Sequence, residues 1–309
     1  MMQNFLIFVV SIFLLVKGAT LATKYSVKLA TNFRLSKYII GFIIVAFVSI
    51  LPEALVSINA ALKGMPEFGL GTLFGSNVAD LTLIFAILTV YVGRGLKIES
   101  KVLKDARFYP FVLMVPILFG LNGYYSRLEG SILILVGLFF YYLVFKNGEL
   151  SPEDGIKGEN KYKNFFLLIF SLLLLIVGSH FTVISASGIA HGLSINPILI
   201  AMLVVGLGTT LPELFFSLKS VKKNDDGLAV GDLLGTVLAD ATILVGLLAV
   251  ISPFYFPVKI IYIAGVFMLV ASFILLKFMR SGKVLSKKEA LFLFLFWVVY
   301  ALTEFFINK

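Results

Sequence analysis

The sequence predicts an all-α integral membrane protein with ten transmembrane helices, arranged as two inverted five-helix repeats with both termini extracytoplasmic. Three observations lead to this prediction: the composition, the length of the apolar runs and an internal repeat. Hydrophobic residues make up 60% of the 309 residues and charged residues only 14%, whereas soluble domains average about 25% charged residues. The composition therefore places most of the chain in a lipid bilayer.

The apolar runs have the length of membrane-spanning helices. They are about 18 to 25 residues long, and a helix needs about 20 apolar residues to cross the hydrocarbon core, whereas a β-barrel would show alternating segments of about 10 residues. The first run has no basic n-region and no small-residue cleavage motif, so it is predicted to be helix one and not a signal peptide. The ten predicted helices span residues 3–23, 37–62, 69–93, 107–124, 129–146, 164–190, 195–219, 227–252, 256–277 and 286–306.

A duplicated segment organises the rest of the chain. Residues 46–80 align with residues 206–240 without a gap, at an offset of 160 residues. Leu51-Pro52-Glu53 matches Leu211-Pro212-Glu213, and Ala79-Asp80 matches Ala239-Asp240. In both copies the aspartate follows the glutamate by 27 residues. Each half of the chain therefore carries a Pro-Glu pair and an aspartate inside apolar sequence.

The duplication divides the chain into two halves of five predicted helices. The first half spans residues 1–146, with its motif at 41–85, and the second half spans residues 164–309, with its motif at 201–245. Residues 147–163 are polar and of mixed charge, and they are predicted to be a cytoplasmic linker. Because five is an odd number, the second half must enter the membrane from the opposite side, which makes the repeat inverted. Inverted repeats are typical of secondary transporters, whose substrate site lies near the midplane where the repeats meet.

The distribution of basic residues predicts the orientation. Of the 26 lysine and arginine residues, 21 lie in the loops that follow odd-numbered helices. By the positive-inside rule these loops are cytoplasmic and both termini lie outside. The net charge of +9 is then explained by topology and by contact with anionic lipid, and it gives no support to nucleic-acid binding. The expected partners are the lipid bilayer and inorganic cations, and the protein is expected to be a monomer in the plasma membrane.

Four acidic residues predict where the chemistry lies. Glu53, Asp80, Glu213 and Asp240 fall well inside helices two, three, seven and eight. A carboxylate is costly inside a bilayer and marks an ion pathway by default. No basic residue is paired with these four acids by the symmetry of the repeat, so their natural partner is a cation.

Competing classes of protein fit the sequence less well. With two histidines and no cysteine, the chain lacks the ligands of an intramembrane zinc protease, so neither an enzyme activity nor a cofactor is predicted. A channel is the other alternative to a transporter. Symmetric carboxylates in inverted repeats favour alternating access, and a conductance measurement separates the two.

The neighbours of these acids are hard oxygen donors. Pro52 and Pro212 each lack a backbone N–H, which frees carbonyl groups around residues 46–48 and 206–208 for ion binding. Carboxylate, carbonyl and hydroxyl oxygens suit Ca²⁺, Na⁺ or Mg²⁺ rather than a soft metal. The hydroxyl groups beside the acids belong to Ser49, Ser76, Thr209, Thr210 and Thr236.

At these residues the chain resembles the cation/Ca²⁺ exchanger superfamily, which includes the Na⁺/Ca²⁺ exchangers. The resemblance implies that helices two, three, seven and eight surround the ion sites, and that helices one and six slide to alternate access. It rests on two paired motifs, Ser49-Ile50-Leu51-Pro52-Glu53 with Gly75-Ser76-Asn77-Val78-Ala79-Asp80, and Gly208-Thr209-Thr210-Leu211-Pro212-Glu213 with Gly235-Thr236-Val237-Leu238-Ala239-Asp240.

The resemblance also implies ligands for the transported ions Ca²⁺ and Na⁺. Glu53 and Glu213 would be shared ligands of both ions, and Ser49 and Thr209 would give backbone carbonyls to Ca²⁺. Asp80 and Asp240 would hold the central position. The flanking Na⁺ sites would use Ser76, Thr210, Thr236 and the carbonyls of Ala46 and Gly206.

The chain departs from the family pattern in two ways. Val48, Ser49 and Ile50 replace Gly-Thr-Ser in the first motif, and Ile50 removes a hydroxyl expected at one Na⁺ site. Both central positions are aspartate, where microbial Na⁺/Ca²⁺ exchangers often carry asparagine. Four carboxylates in a low-dielectric site cannot all be ionised beside one Ca²⁺, so one or two protons are predicted on Asp80 and Asp240. Na⁺/Ca²⁺ exchange is the first prediction and H⁺/Ca²⁺ exchange is the alternative.

Several other residues carry weaker predictions. Lys17 in helix one is expected either to snorkel to the inner interface or to face the ion site and replace a monovalent cation during the cycle. Asp225 and Asp226 are expected in a solvated turn. Close helix packing is predicted at four glycines: Gly18, Gly75, Gly178 and Gly235.

Overall fold

The fold is almost entirely helical. In the computed structural model, residues 2–30, 42, 45–98, 107–146 and 161–308 are described. Within them, eight helices are long and apolar enough to cross a membrane, and two shorter apolar helices, α2 and α4, accompany them. In chain order the helices are α1 (Met2–Ala30), α2 (Ala46–Leu62), α3 (Pro66–Val92), α4 (Tyr109–Asn122), α5 (Arg127–Lys146), α6 (Lys161–Leu193), α7 (Pro197–Lys222), α8 (Asp226–Ile251), α9 (Ile261–Arg280) and α10 (Lys287–Asn308).

The predicted helices agree with this architecture. Each of the ten overlaps one of the helices α1 to α10. Most of the ends differ by five residues or fewer, but α1 continues seven residues beyond the predicted end at residue 23. The predicted start of helix two at residue 37 lies outside the described residues, as does residue range 147–160 of the predicted linker. The last residues of that linker, 161–163, belong to α6.

Four strands of two residues each were not predicted. They are β1 (Leu96–Lys97), β2 (Tyr124–Tyr125), β3 (Phe254–Tyr255) and β4 (Val284–Leu285). Strand β1 pairs antiparallel with β4, and β2 pairs antiparallel with β3. Each ladder joins a connection of the first half to a connection of the second half. Two-residue strands leave no periodic pattern in the sequence, so only the structure reveals them.

Helices α1 and α6 lie against each other along their length. A Cβ atom at Gly18 would be 3.0 Å from the carbonyl oxygen of Ser171, and one at Gly178 would be 2.9 Å from the backbone nitrogen of Leu15. The predicted close packing at these two glycines is therefore confirmed. Small residues allow such an approach in membranes, where apolar side chains gain little by leaving lipid. The outward faces of both helices expose large apolar residues, as a lipid-facing surface requires.

Helices α3 and α8 form the buried centre of the molecule. Their middle residues, 68–82 and 229–242, are buried throughout. Each helix contains one π-helical turn, Asp80–Ile84 in α3 and Asp240–Leu244 in α8. The two turns begin at the two aspartates that the repeat singled out. Such turns are rare and occur mostly at functional sites.

Two glycines bring the centre of the molecule together. A Cβ atom at Gly75 of α3 would lie 2.7 Å from the Cα atom of Met202 in α7. At the equivalent Gly235 of α8, a Cβ atom would lie 2.6 Å from the Cβ atom of Ala46 in α2. The prediction of close approach at both glycines is confirmed, and each approach joins one half of the chain to the other.

Candidate ion-binding site

The site begins with a break in each of two helices. Helix α2 consists of Ala46–Ser49 and Leu51–Leu62, and α7 contains the equivalent pair Gly206–Thr209 and Leu211–Lys222. Pro52 and Pro212 are the second residues of the later segments. Because proline has no N–H, it cannot donate to the carbonyl four residues earlier. The predicted interruption of both helices is thus present, and a glutamate follows each proline.

The four predicted acids are buried and close together. The relative exposure is 1% for Glu53 and Asp80 and 0% for Glu213 and Asp240. Glu53 lies near enough to Asp80, Glu213 and Asp240 for electrostatic repulsion between the carboxylates. Two of these three repulsions act between the halves of the chain. The structure therefore brings together the four acids that the repeat predicted to share one site.

Most carboxylate oxygens of this group have no hydrogen-bond partner in the protein. The unpartnered atoms are Oε2 of Glu53, both oxygens of Asp80, both oxygens of Glu213 and Oδ1 of Asp240. In the part of the chain that the structure describes, no lysine or arginine forms an ion pair with them. Leaving a buried charge unpaired is strongly unfavourable. A cation is the compensating partner that these oxygen atoms suit.

The predicted hydroxyl groups differ in their partners: some lie beside a carboxylate of the other half, and others are buried without a hydrogen bond. Ser76 Oγ lies 3.4 Å from Asp240 Oδ2, a contact between the two halves. The hydroxyl of Thr209 lies beside the Glu53 carboxylate, which is a second contact between the halves. Ser49 Oγ and Thr236 Oγ1 are buried without a partner, so they are available to an ion.

The carbonyl groups predicted at the breaks are already hydrogen-bonded. The Gly206 carbonyl accepts from the hydroxyls of Thr209 at 3.0 Å and Thr210 at 2.6 Å, and from the Thr210 backbone N–H at 3.1 Å. The Ala46 carbonyl accepts from the Ile50 N–H at 3.0 Å. An ion at either carbonyl would therefore use the remaining acceptor capacity or displace a hydroxyl.

The structure decides between the two positions left open for Lys17 and corrects the prediction for Asp226. The Lys17 side chain is exposed on α1, the outward position that snorkelling requires. The expectation that Asp226 is solvated is wrong, because its side chain is buried and accepts two hydrogen bonds from Arg94, each at 2.7 Å. Asp226 lies at the start of α8, outside the ion site.

A fifth acid in the site was not predicted. Asp232 of α8 is 0% exposed, and neither of its carboxylate oxygens has a hydrogen-bond partner. It lies within electrostatic range of Glu53, Asp80 and Glu213. Its equivalent in the first half is Thr72, so Asp232 is not found by a search for acids that recur in both halves. Its place inside a predicted membrane helix was the signal that could have found it.

Side chains alone do not form a metal centre. Among the described residues, no three histidine, aspartate or glutamate side chains are arranged to hold one metal ion. A cation here would combine one or two carboxylates with carbonyl and hydroxyl oxygens. Such mixed oxygen ligands suit Ca²⁺, which accepts six to eight ligands in irregular geometry.

The chain is similar to known membrane proteins over almost its whole length. The sequence model described as "Sodium/calcium exchanger protein" matches residues 3–147 and 163–306. An uncharacterised membrane protein of Methanocaldococcus jannaschii is 28% identical over 302 residues, which are 95% of this chain and 96% of that protein. The sodium/calcium exchanger MaX1 of Methanosarcina acetivorans is 23% identical, over 98% of this chain and 99% of its own.

A solved structure shares the fold. The sodium-calcium exchanger NCX_Mj, soaked with 100 mM Na⁺ and 10 mM Sr²⁺, matches with a TM-score of 0.73 and 21% identity, over 96% of this chain and 97% of that chain. The family sequence model covers almost the whole chain, in both halves. This protein therefore belongs to the sodium/calcium exchanger family of the cation/Ca²⁺ exchanger superfamily.

Proposed function

We propose that this protein is a secondary antiporter that exchanges Ca²⁺ for Na⁺ by alternating access at the midplane of the membrane. One observation carries the proposal: buried carboxylates from both halves meet, and most of their oxygen atoms lack a protein partner. A structural role would leave these charges uncompensated, which is costly. Transported cations would compensate them.

The proposed ligands follow the two motifs. Glu53 and Glu213 bind Ca²⁺ together with the carbonyls of Ser49 and Thr209, and they also bind Na⁺. Asp80 and Asp240 hold the central position. The repulsion between Glu53 and Glu213 supports a shared divalent ion, because a cation between two carboxylates removes that repulsion. The flanking Na⁺ positions are formed by Ser76, Thr210, Thr236 and the carbonyls of Ala46 and Gly206.

The proposed topology has ten membrane helices in two inverted repeats, residues 1–146 and 164–309, separated by a linker. The short ladders support the inversion. The β1–β4 ladder joins the connections after α3 and α9, and the β2–β3 ladder joins those after α4 and α8. A shift by five helices converts the first pair of connections into the second. The symmetry that relates the two halves therefore exchanges the connections after odd-numbered helices with those after even-numbered helices. A twofold axis in the membrane plane does the same, because it turns one side of the membrane into the other.

The orientation follows from the basic residues. Connections after odd-numbered helices are cytoplasmic and both termini are extracytoplasmic. The protein is proposed to be a monomer in the plasma membrane. Helices α1 and α6 slide as a pair across the site to alternate access. Their packing through Gly18 and Gly178 and their lipid-facing outer surfaces support this, since few contacts hold those surfaces in place.

H⁺/Ca²⁺ exchange is the second candidate function. Both central residues are aspartate, and Asp80 has no hydrogen-bond partner on either carboxylate oxygen. Ile50 replaces a hydroxyl expected at one Na⁺ position. A proton on an aspartate would balance charge that one Ca²⁺ leaves uncompensated.

Ca²⁺ uptake into proteoliposomes tests both candidates when Na⁺ and pH gradients are imposed separately. We expect an outward Na⁺ gradient to drive uptake, and Glu53→Gln or Glu213→Gln to reduce uptake at least about tenfold, equivalent to about 1.4 kcal/mol. Glu67→Gln is the matched control, because Glu67 lies in the first turn of α3, outside the site. Uptake that ignores Na⁺ but follows pH would replace the first candidate with the second. Uptake that survives both glutamine variants would refute the proposed site.

A further inference from the structure

Asp232 breaks the symmetry of the two halves. Its equivalent in the first half, Thr72, donates its hydroxyl to the carbonyl of Phe68 at 3.1 Å, within its own helix. Thr72 therefore has its hydrogen bond without any ligand. Asp232 has a carboxyl group in the same place, fully buried, with both oxygens unpartnered.

The Asp232 carboxylate extends a column of oxygen donors along α8. Asp232, Thr236 and Asp240 follow one another at intervals of four residues, so they share one face of the helix. Thr236 Oγ1 and Asp240 Oδ1 are also buried without a partner. From Asp240, this row of oxygen donors therefore extends about two turns toward the N-terminus of α8, or roughly 12 Å at 1.5 Å per residue. The Arg94–Asp226 pair lies at that end of the helix.

A second helix presents an oxygen to this carboxylate. The hydroxyl of Ser49, at the break in α2, lies next to Asp232. The two groups are not in hydrogen-bond geometry, and Ser49 Oγ has no other partner. A fully buried hydroxyl and a nearby, fully buried carboxylate that both lack a hydrogen-bond partner need a compensating group, and an ion between them would supply it.

The charge of the site is consistent with a further cation. Five buried carboxylates, Glu53, Asp80, Glu213, Asp232 and Asp240, lie within electrostatic range of one another in a chain of contacts. One Ca²⁺ supplies two positive charges. Asp232 repels Glu53 and Glu213, so a cation held at Asp232 would stabilise both glutamates in their charged form.

We propose that Asp232 and the Ser49 hydroxyl form a separate cation subsite, beside the Glu53–Glu213 centre, that binds one hard monovalent cation of the Na⁺ class. One carboxylate with neutral oxygens around it matches a single positive charge, whereas Ca²⁺ prefers more than one carboxylate. Thr236 borders the subsite from the same face of α8. The inference rests on the proposed function, in which Na⁺ reaches this site, and it gives the second half an ion position that the first half lacks.

Binding of radioactive Na⁺ and Ca²⁺ to the purified full-length protein tests the subsite without transport. We expect Asp232→Asn to bind one Na⁺ fewer than the wild type, while its Ca²⁺ affinity changes by less than about threefold. Ser49→Ala should weaken the binding of that Na⁺ several-fold without removing charge. Thr72→Val is the matched control at the equivalent position, and it should bind both ions as the wild type does.

Two results would overturn the subsite. Equal Na⁺ binding by the wild type and Asp232→Asn would show that Asp232 is not a Na⁺ ligand. Loss of Ca²⁺ binding in Asp232→Asn as severe as in Glu53→Gln would assign Asp232 to the Ca²⁺ centre instead. Because Asp232→Asn could fail to fold, Asp232→Thr, which restores the residue of the first half, is measured in parallel. A failure of Na⁺-driven Ca²⁺ uptake in the wild type would refute the proposed exchange but leave the binding result standing.

Discussion

At the scale of single residues, the two halves meet differently on the two flanks of the site. Ser76 of the first half contacts Asp240 of the second at 3.4 Å. The equivalent contact would join Thr236 to Asp80, but Thr236 Oγ1 and both Asp80 oxygens are unpartnered. One flank is therefore closed by a protein contact, and the other has its oxygens free for an ion.

This asymmetry predicts different effects of removing the two hydroxyls. Thr236→Ala removes a free ligand, so we expect the Na⁺ concentration at half-maximal exchange to rise about fivefold, the equivalent of a hydrogen bond worth about 1 kcal/mol. Ser76→Ala removes a hydroxyl that also has a carbonyl partner, Leu73, at 3.0 Å, so a smaller rise is expected. Na⁺-dependent Ca²⁺ uptake measures both. An equal change in the two variants would contradict the asymmetry.

The residues of the site could be predicted only in part. Glu53, Asp80, Glu213 and Asp240 recur at one offset, and a membrane helix makes any carboxylate conspicuous. Asp232 has no acidic counterpart, and its role depends on Ser49, a residue 183 positions earlier in the sequence. A pattern along one chain does not report such a contact between distant segments.

At the scale of helices, the breaks in α2 and α7 were predictable and the π-helical turns were not. Pro52 and Pro212 carry a local signal, because proline always removes a backbone donor. A π-helical turn needs no particular residue, so neither Asp80–Ile84 nor Asp240–Leu244 could be read from the sequence. Each turn widens its helix at the aspartate and so changes the face on which later residues lie.

The contact of α3 with α7 predicts the effect of a single methyl group. A Cβ atom at Gly75 would lie 2.7 Å from the Cα atom of Met202, where the neighbour is backbone and cannot rotate away. We expect Gly75→Ala to separate the two helices, to destabilise the protein by about 1–3 kcal/mol and to abolish Ca²⁺ uptake. Thermal unfolding in detergent and uptake in proteoliposomes measure these effects.

Gly71 provides the matched control, one turn earlier on the same helix. A Cβ atom there would lie 3.2 Å from Ile198 Cγ2 and 3.3 Å from Met202 Cγ, and both are side-chain atoms that can move. Gly71→Ala should therefore change the unfolding temperature and the uptake much less than Gly75→Ala. Similar losses in the two variants would contradict the argument from backbone contact.

At the scale of the whole molecule, the halves are tied together at both ends of the helix bundle. The β1–β4 and β2–β3 ladders form these ties, and Arg94 with Asp226 strengthens the first of them. The Lys97 backbone N–H also donates to Asp226 at 2.9 Å. The positions of the helices could be predicted from apolar runs, but these ties join loops more than 100 residues apart, such as the pair at a separation of 132 residues.

The tie between Arg94 and Asp226 predicts a loss of stability that does not depend on ions. The pair is bidentate, with Asp226 buried and Arg94 29% exposed in its side chain, so water screens it in part. The hydrogen bond from Arg94 to Asp226 raises the pKa of the guanidinium, and the stabilisation is therefore present at neutral pH and is lost only above that raised pKa. We expect Arg94→Gln to cost about 1–3 kcal/mol, mostly because Asp226 stays buried without its charged partner, with the Lys97 N–H still donating to it.

A double-mutant cycle isolates this interaction. Asp226→Asn in the Arg94→Gln background should cost less than Asp226→Asn alone, with a coupling of about 1 kcal/mol or more. Unfolding in detergent gives the four stabilities, and Na⁺-dependent Ca²⁺ uptake by the folded variants should keep its Na⁺ dependence, because the pair lies outside the ion site. Additive costs would show that the two residues stabilise the molecule independently. A changed Na⁺ dependence would instead place this end of the bundle in the transport cycle, as a contact that breaks and re-forms while the halves move.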